Sequence, residues 1–513
     1  MGYLGLTAII GTIVSLPSTT RHSQPSDLRS PSSSIPPTSR FGVSSDKVTV
    51  KLAPPIDDLT FARRVSLGLV GVVPSLEEIR WYESRPAANR RADYVERLLA
   101  DRRFADAVAE RLAAAWLPAR VGDNFVLYRP YRFIEWLADQ IHAGVPYSTI
   151  VRHMLADEGL WTDNPSVNFI TAYAVKPEEL AGQTAKSFLG LQIGCAQCHD
   201  HPFAPWKQSE FRGLAAHFAR TDVSFRGIDD AGETFRFGAD KDTEGILVAA
   251  RVPFGTPSPT SDRPLRLQLA DWVTGPAQTR FREAIANRAW EMMFGRPITQ
   301  PVDDLDGTCA IPGLLADLAL SLQQNNDDLR SLFRQISLSE RLAVASEFGL
   351  SIDSSNSADE SFATFPLTRL EPMQVARSLL QVSSIRTLDR DTGVLRRVIG
   401  FFERQNFLQF FQSESDDQSG TISQRLMLMN DKLVQDRIAS ELGSSSERIA
   451  SLANSPEQAV ELAFLISLTR RPSPEESAPL AARIEKTSDG LRKKDVEDLL
   501  WGLINSSEFL LRH

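Results

Sequence analysis

From Asp57 onward, apolar residues recur three and four positions apart, the spacing of a helix with one buried face. The stretch 57–69 opens the series. Ser75-Leu76-Glu77-Glu78, just after Pro74, predicts the start of the next helix, because Ser75 can accept from the unpaired amides while Glu78 reaches back. Amphipathic patterns then fall at 89–100, 104–116, 131–143, 148–156 and 177–191. Between 221 and 264 the chain turns Gly-rich and alternating, as in Thr234-Phe235-Arg236-Phe237 and Ile246-Leu247-Val248-Ala249, which predicts short strands. Helical periodicity returns at Leu265 and continues to the C-terminus, interrupted by polar stretches at 351–361 and 413–420. The predicted fold class is therefore mainly α: two helical regions, 51–220 and 265–513, separated by a small β insertion at 221–264.

The start of the chain has a different character. Residues 1–17 are nearly all apolar up to Leu16 and run to the length of a signal-peptide core, too short for a membrane span. No Lys or Arg precedes the run and no clear small-x-small cleavage site follows it, so it reads as a signal-like or anchoring segment. Residues 18–50 are Ser, Pro, Thr and Arg with almost no large apolar side chain, the composition of a disordered linker. The expectation is an exported protein of the periplasm or cell envelope, touching a membrane at most through its N-terminal segment.

At 513 residues with 42% hydrophobic content, two or three domains are expected and no staples are needed. Lys and Arg number 56 against 65 Asp and Glu, with no long block of one sign, which argues against a nucleic-acid partner. Three cysteines are too few for a disulfide scaffold, and two of them share one five-residue motif.

That motif is Cys195-Ala196-Gln197-Cys198-His199. Two thiols at this spacing can form thioethers with the two vinyl groups of one haem, while the adjacent imidazole reaches the iron. The next residues, Asp200-His201-Pro202-Phe203, add a second histidine that haem attachment does not require. It keeps open a zinc or iron site on Cys195, Cys198, His199 and His201, thiolate and imidazole being the usual ligands of such sites. A Cys195–Cys198 disulfide or dithiol is the third reading. By residue type His153, His217, Met154, Met292 and Met293 could supply a sixth haem ligand, but each sits in a helical pattern where packing or solvation is the commoner role. Asp303, Asp304 and Asp306 follow no metal-loop spacing and read as caps of a turn or helix. There is no phosphate-binding Gly-rich loop, Gly-x-Ser-x-Gly elbow or His-Glu-x-x-His helix, so the sequence names neither a hydrolase nor a nucleotide-dependent enzyme.

The chain also resembles a family: the planctomycete-type exported proteins that pair domain of unknown function 1549 with domain of unknown function 1553, often behind a cytochrome-c-like domain. For the first domain the resemblance is carried by Phe61-Ala62-Arg63-Arg64-Val65-Ser66-Leu67 through Val73-Pro74-Ser75, by Gly144-Val145-Pro146-Tyr147, and most specifically by the run from Phe188 through Cys195-Ala196-Gln197-Cys198-His199 to Phe203. For the second it is carried by Ala286-Asn287-Arg288-Ala289-Trp290, Phe294-Gly295-Arg296, Pro301-Val302-Asp303-Asp304, Leu468-Thr469-Arg470-Arg471-Pro472 and Leu503-Ile504-Asn505-Ser506-Ser507-Glu508-Phe509. What the resemblance implies is an exported, cytochrome-associated protein; it supplies no substrate. Only the linker stands upstream here, so any redox or cell-envelope partner is expected to be a separate chain. The sequence reading is a single covalent c-type haem used in electron transfer or redox sensing, with the zinc or iron site and a non-catalytic cell-envelope interaction protein as the alternatives.

Overall fold

The computed structural model describes residues 51–118, 130–200, 206–230, 236–237, 245–253, 263–346, 360–388, 439, 443–487 and 490–512. The 1–50 segment, His201 and most of the two polar interruptions lie outside them.

Each early helix starts where a side chain satisfies its unpaired amides. The Asp57 carboxylate accepts from the amides of Leu59 (2.8 Å) and Thr60 (3.0 Å) and opens α1 (Asp58–Leu69). Ser75 and Glu78 form the expected capping box, both bonds 3.0 Å, and open α2 (Leu76–Glu83). The next helices are α3 (Arg90–Ala100), α4 (Arg102–Trp116), α5 (Pro130–Ala143), α6 (Tyr147–Ala156), α7 (Asn168–Ala172), α8 (Pro177–Leu189) and α9 (Gln208–Ala215). The insertion holds two antiparallel ladders, β1 (Asp222–Ser224) with β2 (Gly227–Asp229) and β3 (Arg236–Phe237) with β4 (Ile246–Leu247). Beyond it come α10 (Leu265–Thr274), α11 (Thr279–Phe294), α12 (Leu314–Gln324), α13 (Leu329–Ser337), α14 (Pro372–Val382), α15 (Ser445–Leu452), α16 (Pro456–Leu468), α17 (Pro474–Ala481) and α18 (Lys493–Ile504). Among the described residues there are thus 18 α-helices and only two-stranded sheets, the mainly α fold the periodicity predicts. None of these helices is long and apolar enough to cross a membrane.

The sequence pattern does not show which helix is central. Ten of the 12 residues of α1 are buried, so it has no solvent face. Two of the buried ones are arginines whose guanidinium groups serve as donors to backbone carbonyls: Arg63 to Ser467 and Phe509 (both 3.1 Å), Arg64 to Leu342 (2.8 Å) and Val344 (2.6 Å). The Arg64 guanidinium also lies 3.7 Å from the Phe365 ring centre. Burial pulls Arg64 down to about 9, and Arg63 to about 10, so both stay charged at neutral pH and tie the distant C-terminal segments to α1.

One apolar cluster runs from Phe61 to Phe365 and takes in side chains of α1, α3 to α6, α8 and α10 to α13. A second joins Leu67 and Val73 to the C-terminal helices α14 to α18. The insertion is bonded to both neighbours. Gly159, after α6, exchanges two backbone hydrogen bonds with Ile228 (2.8 and 2.9 Å), and Arg266 of α10 donates to Asp230 (2.6 Å) and to the carbonyl of Asp157 (2.9 Å).

Candidate functional site

The Cys-x-x-Cys-His segment begins where α8 is forced to stop. Gly190 takes the left-handed conformation (φ 57°, ψ 49°), and its amide and that of Leu191 both return to the Ala185 carbonyl. Leu191 and Ile193 then anchor the chain in the core, and a single turn of 3₁₀ helix (Gly194–Gln197) buries Ala196 while leaving Cys195 and Cys198 exposed. The expected helix at 177–191 is two residues shorter for this reason.

Two neighbours hold the turn. On the C-terminal side Gln208, first residue of α9, donates through its side-chain amide to the carbonyls of Gln197 (3.1 Å) and Cys198 (2.8 Å), and its backbone amide donates to Asp200 (2.8 Å). On the N-terminal side the chain is gripped from far away in sequence. Leu305 N–H donates to the Gly190 carbonyl (2.9 Å), and Arg280 donates to the carbonyls of Leu189 and Gly190 (both 3.1 Å) and to Asp306 (2.9 Å). Asp303 accepts from Gln192 (2.9 Å) and pairs with Lys186 (3.0 Å). Burial by itself would raise the Asp303 carboxyl, but Lys186 and Gln192 outweigh it and hold the pKa low. The third acid, Asp304, accepts from the Asp306 amide (3.1 Å) and shapes the turn. Of the three aspartates only Asp304 caps a turn as expected; Asp303 and Asp306 instead pair with Lys186, Gln192 and Arg280 and position the approach to the motif.

Cys195, Cys198 and Cys309 are all unbonded and exposed. The Nδ1 of His199 lies 2.7 Å from the Asp200 carbonyl oxygen. A carbonyl can only accept, so Nδ1 carries the proton and Nε2 keeps its lone pair, the tautomer an imidazole uses toward a metal. Among the described residues no three His, Cys, Asp or Glu side chains converge on a point that could hold a metal ion. His201 lies outside the described residues.

The residues considered for a sixth ligand take ordinary roles. Met154, Met292 and Met293 are buried in the main core, the Met293 sulfur so close to Gly68 that a Cβ there would stand 2.5 Å from it. His153 bonds Asp157 one turn on (3.0 Å). His217 is buried, its Nδ1 3.2 Å from the carbonyls of Gly213 and Leu214, and burial pushes it down to about 4.

Residues 43–223 match the family model described as a protein of unknown function (DUF1549), and residues 265–394 match that of a second protein of unknown function (DUF1553). The chain belongs to the proteins that pair these two domains. No curated protein and no solved structure matches it. The pairing is physical at the motif: Arg280, Asp303, Leu305 and Asp306 belong to the DUF1553 match, and the residues they hold, Lys186, Leu189, Gly190 and Gln192, to the DUF1549 match.

A second feature was not legible in the sequence. A cleft of about 80 Å³, open to solvent, is lined by α4 and α5 of the DUF1549 part and by α14 of the DUF1553 part. Its lining includes Arg102, Arg103, Asp106 and Glu110, an i, i+4 charge pattern ordinarily read as a solvated helix face, yet Arg103 is only 6% exposed. No residue of the Cys-x-x-Cys-His motif lines it.

Proposed function

We propose that the chain carries one covalent c-type haem on Cys195 and Cys198, with His199 as the axial ligand, and serves electron transfer or redox sensing outside the cytoplasm. The observation that carries this reading is the turn itself: two exposed, unbonded thiols one 3₁₀ turn apart, followed by an imidazole whose Nδ1 is committed to a carbonyl and whose Nε2 is left for iron. The haem would supply a one-electron couple; the protein's part is to fix the turn through Gln208 on one side and Arg280, Asp303 and Leu305 on the other. The short name of the first matched family model, PSCyt2, agrees with a cytochrome association. Export follows from the same reading, since attachment to Cys-x-x-Cys-His takes place outside the cytoplasm and the apolar 1–17 segment has the character of an export signal. The electron partner would be a redox or cell-envelope protein.

The test is expression in a host with c-type maturation, followed by spectra before and after denaturation. Thioethers survive unfolding and coordinate bonds do not, so the expected result is a Soret band that persists in denaturant. It should be lost in Cys195→Ser/Cys198→Ser and retained in His201→Ala. Colourless protein holding stoichiometric zinc or iron, released by His201→Ala as much as by either cysteine change, would overturn the haem in favour of a metal site. Colourless, metal-free protein would overturn both and leave a cell-envelope interaction protein.

A further inference from the structure

The cysteine turn lies on the surface of the fold. Cys195, Gln197, Cys198 and His199 are all exposed, and only Ala196 is buried beneath them. What decides the chemistry of a haem held here is the ligand on the face opposite His199: an axial methionine or second histidine makes an electron carrier, whereas iron held by one histidine takes a ligand from outside. The stretches that lead into the turn or are bonded to it, α8, α9 and the segment 295–306, contain neither histidine nor methionine. Helix α11, whose Arg280 reaches Gly190, carries Met292 and Met293, but both are turned into the core, 4% and 0% exposed.

The other described histidines and methionines are placed no better. Met154 and His217 are buried, and bringing either of them, or Met292 or Met293, to a surface iron would empty its place in the core. His153, at the end of α6, is tied through Nδ1 to Asp157 (3.0 Å). His142 closes α5 and Met373 opens α14, and neither helix has a described hydrogen bond to the turn. His201 follows His199 by two residues, a span of at most about 7 Å, short of the distance between the backbones of two imidazoles on opposite faces of one iron.

The bond behind His199 bears on the kind of ligand. Its Nδ1–H goes to the neutral carbonyl of Asp200 (2.7 Å), while the Asp200 carboxylate is turned away to accept from the Gln208 amide (2.8 Å). A carboxylate at Nδ1 would make the imidazole a stronger electron donor to the metal than a carbonyl does. A neutral imidazole of moderate donor strength suits the holding of a neutral ligand on ferrous iron.

We infer, resting on the haem reading above, that His199 is the one axial ligand this chain supplies, and that the solvent face of the haem takes a small neutral π-acceptor of the carbon monoxide and nitric oxide class. The site then serves ligand sensing in place of electron carriage.

The test uses full-length holoprotein from a maturation-competent host, with carbon monoxide as the probe. The ferric protein should show a high-spin spectrum with a long-wavelength charge-transfer band, and the dithionite-reduced protein should take up carbon monoxide stoichiometrically with a shift of the Soret band. His142→Ala, His153→Ala, His201→Ala and Met373→Leu should leave both spectra unchanged. A low-spin spectrum in both oxidation states before any gas is added overturns the inference and leaves the covalent haem standing; the variant that converts it to high spin then identifies the second ligand. Protein without a Soret band overturns the haem and this inference together.

Discussion

Replacing Gly190 by alanine should damage the site and the fold together, and the structure sets the size of the effect. The residue has φ 57°, a conformation that costs an L side chain about 1–2 kcal/mol. An added Cβ would also stand 2.5 Å from Cγ and 3.0 Å from Cδ1 of Leu305, and forcing a methyl into such a contact costs about 1–3 kcal/mol more. The sum is a destabilisation of about 2–5 kcal/mol. Gly194, four residues on, is the internal control: its φ is not positive and nothing lies within 4 Å of a Cβ built there, so Gly194→Ala should move stability by less than about 0.5 kcal/mol. Leu305→Ala removes the obstacle and leaves the backbone cost, so the Gly190→Ala/Leu305→Ala pair should show a favourable coupling of at least about 1 kcal/mol. Urea unfolding of the full chain followed by tryptophan fluorescence reads all four proteins. If Gly190→Ala costs no more than Gly194→Ala, the close packing of the Asp303–Asp306 segment on the end of α8 is wrong.

Three further outcomes are expected. Arg282 and Asp327 form a bidentate buried pair (2.7 and 3.0 Å), so Arg282→Ala should cost about 3–5 kcal/mol, and a drop in unfolding midpoint no larger than that of a surface change would contradict the pairing. Because the folded pKa of His217 is about 4, the unfolded state binds the extra proton between about pH 6.5 and 4, and stability is lost as pH falls through that window; relative to His217→Gln, wild type should lose up to about 3 kcal/mol by pH 4, and parallel pH profiles would refute the buried neutral imidazole. Ser473→Ala should cost about 1 kcal/mol by removing a cap, and Ser75→Ala more, since Ser75 Oγ also meets Thr387 Oγ1 at 2.8 Å; equal thermal shifts would deny that second contact a role.

What the sequence showed well was local. Asp57, Ser75 and the 3.6-residue periodicity located the early helices to within two residues, because caps and amphipathic faces are settled by neighbours in the chain. Pro74-Ser75-Leu76-Glu77-Glu78 and Pro472-Ser473-Pro474-Glu475-Glu476 share a local pattern, and each forms a capping box. The motif was visible for the same reason, its spacing being five residues long. What the sequence concealed is set by long-range contact. Asp303 meets Gln192 across 111 residues, so its part in holding the approach to Cys195 carries no local mark. Arg63 and Arg64 are charged positions inside α1, yet tertiary packing buries them against carbonyls hundreds of residues away. The charges of α4 became a cleft only because α5 and α14 close over them, and nothing in the helical pattern at 104–116 distinguishes that from a solvated face.

The central claim concerns a covalent bond, and the intact mass of the denatured protein tests it most directly. Full-length chain made in a maturation-competent host should carry the added mass of one haem, localised to the peptide containing Cys195 and Cys198, and Cys195→Ser/Cys198→Ser should show none. An unmodified mass, with both thiols still open to alkylation although a control cytochrome in the same cells is fully matured, would contradict the haem reading.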